Sequence, residues 1–176
     1  INASKGAYVM TLDADDWIEE GFVEHLVKVA EESGADIVGG GVTIHFKDHD
    51  EARTNGSRVL EGVDKIKFHF NEQIVFLNNK IVSRRVCSLV PYCHRRYIED
   101  TPTVIPMMYH ANKVVYVDDC GYHYVQHPQS LTHTGSDAKG LLYRFLCLMD
   151  LLTFFRDKGE EYRDLFPMDS VLPFIE

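Results

Sequence analysis

Three carboxylates fall within four positions at Asp13, Asp15 and Asp16, directly after the apolar run Tyr8-Val9-Met10-Thr11-Leu12. Like charges this close repel one another unless a cation or a set of hydrogen-bond donors neutralises them. Carboxylate oxygens are hard ligands suited to Mg²⁺ or Mn²⁺. The run before them reads as a buried strand, and open α/β sheets bind ligands beyond the carboxyl ends of their strands. Asp13 and Asp15 are therefore candidate metal ligands. Three other readings compete. Asp is a favoured N-cap, so the cluster could simply start the next helix. Asp13, Asp15 and Glu24 also match positions one, three and twelve of a calcium loop, but Trp17 and Ile18 stand where an oxygen ligand and a glycine are needed, and that reading fails. A strand ending in a nucleophilic Asp13, with a second Asp two residues on, also fits a phosphohydrolase.

The elements that must position these acids follow from periodicity. Phe22, Leu26, Val29 and Ala30 repeat at helical spacing, which predicts an amphipathic helix over Ile18 to Ser33, with Gly34 as its C-terminal cap. Glu19, Glu20, Glu24, Glu31 and Glu32 mostly line its other face. Ala35 to Val38 returns as a short apolar strand, so strand, acidic turn, helix and strand make an α/β unit with parallel pairing expected. Val42 to Phe46 alternates as a strand should, and Asn55-Gly56 is a turn dipeptide before a returning strand at Ser57 to Leu60. A short helix is predicted over Gly62 to Phe70. At Tyr97-Ile98-Glu99-Asp100-Thr101-Pro102, Pro102 suits the first turn of a helix, with Asp100 or Thr101 at its N-cap. Val104, Met108 and Ala111 then face inward, while Pro106 forces a kink. Strands are predicted at Val114 to Val117 and Gly121 to Val125, followed by a polar loop from His127 to His133. Leu141 to Phe155 is a helix apolar on more than one face, which calls for packing on both sides, against a partner chain, a membrane surface or a missing domain.

Composition limits the function classes. At 176 residues with 45% apolar content the chain can bury one sizeable core. A net charge of −9 argues against a general nucleic-acid binder. Cys87, Cys93, Cys120 and Cys147 show neither a CxxC pair nor zinc spacing, and thiols in a reducing cytoplasm are the expectation. The nine histidines are scattered. No apolar run is long enough to cross a bilayer. The chain opens on Ile1-Asn2-Ala3-Ser4-Lys5-Gly6 and closes on Val171-Leu172-Pro173-Phe174-Ile175-Glu176; both ends read as cut, as in a portion of a longer protein.

In this order the motifs resemble glycosyltransferase family 2, the inverting family with the GT-A fold. The run from Asn2 to Val9 leading into Leu12-Asp13-Ala14-Asp15-Asp16-Trp17-Ile18 is similar to that family's donor- and metal-binding motif. Glu99-Asp100 resembles its Glu-Asp element, and Gly121 to Thr132 its strand and Ser-x-Thr loop. The resemblance covers residues 1–135 as the later part of a GT-A domain, a Rossmann-related mixed sheet flanked by helices without its first βαβ strands, and leaves 136–176 as a helical extension. It implies that Asp13 and Asp15 hold ribose and a divalent metal, Mn²⁺ or Mg²⁺, on the donor diphosphate. It makes Asp100 the general base with Glu99 as its neighbour, and a helix N-terminus there favours the ionised base. The donor expected is a nucleotide-diphospho-sugar, UDP-linked by preference. The acceptor is a carbohydrate or lipid-linked hydroxyl in bacterial surface polysaccharide or glycolipid synthesis, and the setting is the cytoplasm or the inner face of the membrane. Softer candidates are Trp17 as a floor for the acceptor sugar, Ser130 at the substrate, and His133 or His127 as a further metal or phosphate contact. Lys5 and the cluster Arg84, Arg85, Arg95 and Arg96 are candidates for phosphates. Without the first strands, donor binding and turnover are expected to fail. A phosphohydrolase and a non-catalytic carbohydrate-binding fragment are the alternatives.

Overall fold

The computed structural model describes residues 3–71, 76–91, 93, 100–127, 138–163 and 165. The strands are β1 (Tyr8–Val9), β2 (Trp17–Ile18), β3 (Ile37–Gly39), β4 (Val42–His45), β5 (Asp50–Arg53), β6 (Arg58–Glu61), β7 (Lys80–Ser83), β8 (Lys113–Tyr116) and β9 (Tyr122–Val125). The helices are α1 (Phe22–Ser33), α2 (Asp64–Asn71), α3 (Arg84–Leu89), α4 (Asp100–His110), α5 (Ala138–Phe155) and α6 (Glu160–Arg163). One sheet runs β1-β7-β3-β8-β6 and a second runs β2-β9-β4-β5. Both are mixed: β3 pairs β8 in parallel and β4 pairs β9 in parallel, while the other ladders are antiparallel.

Strand alternation divides the core in two. Ile37, Val82, Val114 and Tyr116 point to a cluster shared with Val104, Ile105 and Met108 of α4 and with Cys147, Leu151 and Phe155 of α5. Their strand neighbours Val38, Ile81 and Val115 point the other way, onto Phe22, Leu26 and Ala30 of α1. The first sheet is thus covered by helices on both faces, which is why its central strands read as continuous apolar runs. The mixed sheet flanked by helices is the one expected from the sequence. Val104, Met108 and Ala111 are buried as anticipated, and Pro106 sits inside α4 within the core.

Four elements differ from the sequence reading. Helix α1 begins at Phe22 rather than Ile18, because Trp17 and Ile18 extend to pair antiparallel with His123 and Tyr122. β1 and β3 do not pair with each other; β7 lies between them, antiparallel to both. β4 returns through β5, a polar stretch, and not through the strand after Asn55-Gly56, which joins the other sheet beside β8. Finally, α5 buries one stripe, Cys147, Leu151 and Phe155, while Leu141, Leu142 and Met149 are exposed. All four cysteines are thiols, with Cys87 and Cys147 buried. Among the described residues no helix is long and apolar enough to cross a membrane.

The Gly39-Gly40-Gly41 turn after β3 brings the two sheets together. A Cβ on Gly40 would lie 2.6 Å from the Phe22 ring and 2.7 Å from the Asp119 carbonyl oxygen. Backbone cannot yield as a side-chain tip can, so Gly40→Ala is expected to cost about 3 kcal/mol through overpacking. A thermal unfolding midpoint unchanged from wild type would contradict this.

Candidate functional site

Because β7 runs against β1, β3 and β8, its first residues lie at the edge where those three strands end. This is the edge at which α/β sheets bind ligands. Asn78-Asn79-Lys80 enters the sheet there, and each of the three side chains makes a different link.

Asn78 faces the acidic turn. Its amide nitrogen donates to Asp13 Oδ2 at 2.6 Å, and its Oδ1 accepts from the Thr11 hydroxyl at 2.6 Å. The turn closes through the Asp16 amide on the Asp13 carbonyl, 3.3 Å away. The Asp16 carboxylate is spent on the fold: Oδ2 accepts from the Tyr122 hydroxyl at 2.5 Å and Oδ1 from the Val125 amide at 3.0 Å. Burial, and then the bond to Asp16, keep the Tyr122 phenol protonated far above its ordinary range. Asp15 stands exposed at the tip of the turn. The three acids therefore have separate roles: Asp13 is oriented, Asp16 bolts the turn to β9, and Asp15 is presented to solvent. Partial burial, followed by repulsion from Asp16 and with a smaller share from Asp15, raises the Asp13 carboxyl above the usual range, against the Asn78 bond that lowers it. A cation would relieve that repulsion.

Asn79 and Lys80 face inward. Asn79 is fully buried, and its side-chain nitrogen donates to the Gly40 carbonyl at 2.5 Å. Lys80 is 1% exposed. Its ammonium donates to Asn79 Oδ1 at 2.6 Å and to the Phe76 carbonyl. Burial brings the Lys80 amine down to about 7, and the opposing pull comes from the negative charge of Asp100. One tripeptide thus touches Asp13 on one side and lies within the field of Asp100 on the other. Asp13 and Asp100, far apart in sequence, are thus each linked to the β7 entrance, the first by a hydrogen bond and the second through its charge. Asp100 occupies the first turn of α4, where a carboxylate faces the positive end of the helix dipole.

The remaining expectations divide. Lys5 is exposed just ahead of β1. Arg84 is engaged in structure, donating to the Gly6 carbonyl at 2.7 Å and to the Ser4 hydroxyl at 3.1 Å. Arg85 pairs with Asp36 at 2.7 Å. Both guanidinium groups are thus engaged with neighbouring parts of the fold. Trp17 lies on a strand, not at a helix start, and is 48% exposed. His127 is exposed; Glu99, Arg95, Arg96, Ser130 and His133 lie outside the described residues. Among the described residues, no three His, Cys, Asp or Glu side chains gather as a complete metal cage. Sequence reasoning missed Asn78, Asn79 and Lys80, although polar residues immediately before an Ile-Val strand are the mark of a strand entrance.

The family described as "Glycosyl transferase family 2" matches residues 1–92. "Glycosyltransferase GlyG" of Streptococcus pneumoniae is 24% identical over 153 residues, covering 78% of this chain and 50% of that protein. "Uncharacterized glycosyltransferase EpsJ" of Bacillus subtilis is 27% identical over 145 residues, 75% of this chain and 41% of that protein. Among solved structures, Staphylococcus aureus TarS residues 1–349 in complex with UDP-GlcNAc superposes with a TM-score of 0.63 at 13% identity, over 86% of this chain and 44% of that one. The likeness to TarS concerns the fold, and the chain spans about half the length or less of each of these relatives. The family match spans more than half of the chain and includes the acidic turn oriented by Asn78, and the chain belongs to glycosyltransferase family 2.

Proposed function

We propose that this chain forms the later part of an inverting, metal-dependent glycosyltransferase that moves a sugar from a nucleotide diphosphate to an acceptor hydroxyl. The observation that supports the reading is the Asn78-Asn79-Lys80 entrance, where Asn78 orients Asp13 and Lys80 lies within the field of Asp100. Asp15, exposed beside an oriented Asp13 that already feels like-charge repulsion, suits Mn²⁺ or Mg²⁺. Magnesium-type sites commonly use one or two carboxylates and leave the remaining positions to water and substrate phosphate, so a complete protein cage is not needed. When bound, the cation offsets charge on the departing diphosphate. Asp13 and Asp15 bind the donor, with Lys5 and His133 as further contacts to its phosphates and metal. Asp100 takes the proton from the acceptor hydroxyl as that oxygen attacks the anomeric carbon opposite the leaving group, and Glu99 assists beside it. Trp17 offers a flat ring to the acceptor sugar, with Ser130 at the same substrate. TarS was crystallised with UDP-GlcNAc and with UDP, which supports a UDP-sugar as the first donor to try. The acceptor in this reading is a carbohydrate or lipid-linked hydroxyl at the inner membrane face.

Calorimetric titration of UDP, GDP and their sugar conjugates into the intact protein, with and without Mn²⁺, tests this reading. Asp15→Ala is expected to weaken Mn²⁺-dependent diphosphate binding by roughly 100-fold, at the upper end of what loss of metal-site support costs. Binding that ignores Mn²⁺, or survives Asp15→Ala, removes the metal from the mechanism. Phosphate release without an acceptor, through a covalent intermediate on Asp13, would move the assignment to a phosphohydrolase.

A further inference from the structure

The second sheet carries an arrangement that the transfer reaction does not explain. Alternation places Trp17 of β2, His123 of β9 and Thr43 of β4 in one row across one face, with His45 of β4 and Asp50 of β5 in the next. His123 is 7% exposed, and its ring lies against Trp17 with centroids 3.4 Å apart and planes 6° from parallel. His45 lies alongside His123 in nearly the same plane, its ring centroid 5.0 Å from that of His123 and 5.9 Å from that of Trp17.

The edges of the two imidazoles form a chain with a carboxylate at each end. Glu19 Oε1 is 3.1 Å from His123 Nε2, His123 Nδ1 is 2.8 Å from His45 Nε2, and His45 Nδ1 is 2.8 Å from Asp50 Oδ1. An ionised carboxylate only accepts, so each outer nitrogen must carry a hydrogen. The two inner nitrogens must hold one hydrogen between them, since two would clash and none would set lone pairs against each other. Three protons on four nitrogens is one more than two neutral rings contain. The stacking argues the same way: neutral aromatic rings avoid a parallel sandwich, whereas a cation is drawn to an indole face.

We propose that His45 and His123 share one excess proton and thereby clamp Trp17 as a rigid platform, open on its outer face, for the acceptor sugar. The sugar part rests on the transferase reading above; the shared proton does not. Among the described residues, the titratable groups facing the pair are Glu19, from the segment after β2, and Asp50, from β5. Thr43, Ala52 and Val125 share that face, while Glu51 and Arg53 pair with each other at 2.8 Å on the opposite one. When the pair releases its proton to solvent, one link of the chain must open and the charge under the indole disappears. His45 and His123 are thus positioning residues, acting on substrate through Trp17.

Trp17 is the sole tryptophan of the chain, so its fluorescence reports on this site directly. A protonated imidazole quenches a stacked indole. Emission between pH 5 and 9 should therefore rise about twofold in a single one-proton transition, with far-ultraviolet circular dichroism constant. His123→Gln should abolish the transition, and His45→Gln should shift its midpoint by at least half a pH unit, because the partner for the shared proton is lost. Methyl β-D-glucoside and methyl N-acetyl-β-D-glucosaminide, at up to 100 mM, should perturb wild-type emission more strongly below the transition than above it. No transition in wild type, or an identical one in His45→Gln, overturns the shared proton. A transition with no glycoside response at either pH overturns the platform. Mn²⁺-dependent UDP binding is measured alongside: if it fails while the transition and glycoside response persist, the transferase reading falls and the platform stands.

Discussion

Asp100→Asn is expected to lower sugar-transfer turnover by about 10³-fold, within the range for loss of a general base, while leaving Mn²⁺-dependent diphosphate binding unchanged. The separation follows from the site's construction. In the proposed reaction the donor is bound through Asp13 and Asp15, on a turn that Asn78 orients and Asp16 anchors to β9. Asp100 stands on a different element, at the start of α4, and acts on the charge of Lys80 in the β7 entrance. Removing its charge should reach the proton transfer and spare the donor. Initial rates of acceptor-dependent diphosphate release, together with titration calorimetry on the same preparation, measure both halves. A variant with near-normal turnover would remove Asp100 as the base. A variant that loses diphosphate binding as well would place Asp100 in donor binding instead. Glu99→Gln should have the milder effect of a neighbour.

Lys80→Met is expected to flatten the dependence of stability on pH in the alkaline range. Lys80 is lowered from an ordinary value of 10.5 to about 7, with burial as the first cause and Asp100 opposing it. The unfolded chain therefore binds more protons than the folded one between those values, and stability rises as pH rises from 7 to 10.5. Below pH 7 the full penalty of this single group applies, on the order of 5 kcal/mol. His69, buried and depressed to about 3, acts in the same direction lower down, its penalty lifting as pH rises from 3 to 6.5. Cys87 and Tyr122, whose ionisation burial disfavours, act in the opposite sense at alkaline pH. The difference between wild type and variant isolates Lys80 from them. Urea unfolding at pH 7, 8.5 and 10 should show the wild type gaining stability relative to Lys80→Met at each step. Parallel curves would mean that Lys80 keeps its ordinary affinity for protons. Methionine leaves the Phe76 and Asn79 acceptors without their donor, which subtracts about 1–3 kcal/mol at every pH and leaves the slope diagnostic.

A buried cation within the field of Asp100 gives physical content to the trade between stability and function. An apolar residue at position 80 would pack β7 without a charge to desolvate. The lysine instead sets a positive charge where Asp100 feels it and cross-links Asn79 to the Phe76 carbonyl. The same economy appears at Asp16, whose two carboxylate oxygens hold the Tyr122 hydroxyl and the Val125 amide and so fix the turn to β9.

What the sequence determined by itself was local and periodic. The acids after an apolar run, the 3.6-residue stripe of Phe22, Leu26 and Ala30, the Gly34 cap and the inward face of Val104, Met108 and Ala111 follow from chain geometry and hydrophobicity alone. They were legible without a fold. The ordered motifs were enough to indicate the family and to select Asp13, Asp15 and Asp100. Which strand lies beside which was decided only by tertiary structure. A two-residue strand such as Trp17–Ile18 carries no periodic signal, and its partner Tyr122–His123 is distant along the chain. β5 reads as polar because it is an edge strand, so its pairing with β4 left no apolar signature. The interposition of β7 between β1 and β3 likewise depends on long-range hydrogen bonds that composition does not encode. For the same reason Asn78, Lys80 and the His45–His123 pair look like ordinary polar residues in the sequence. They acquire their chemistry from burial and from neighbours supplied by other strands, and burial of a polar group is a property of the assembled fold.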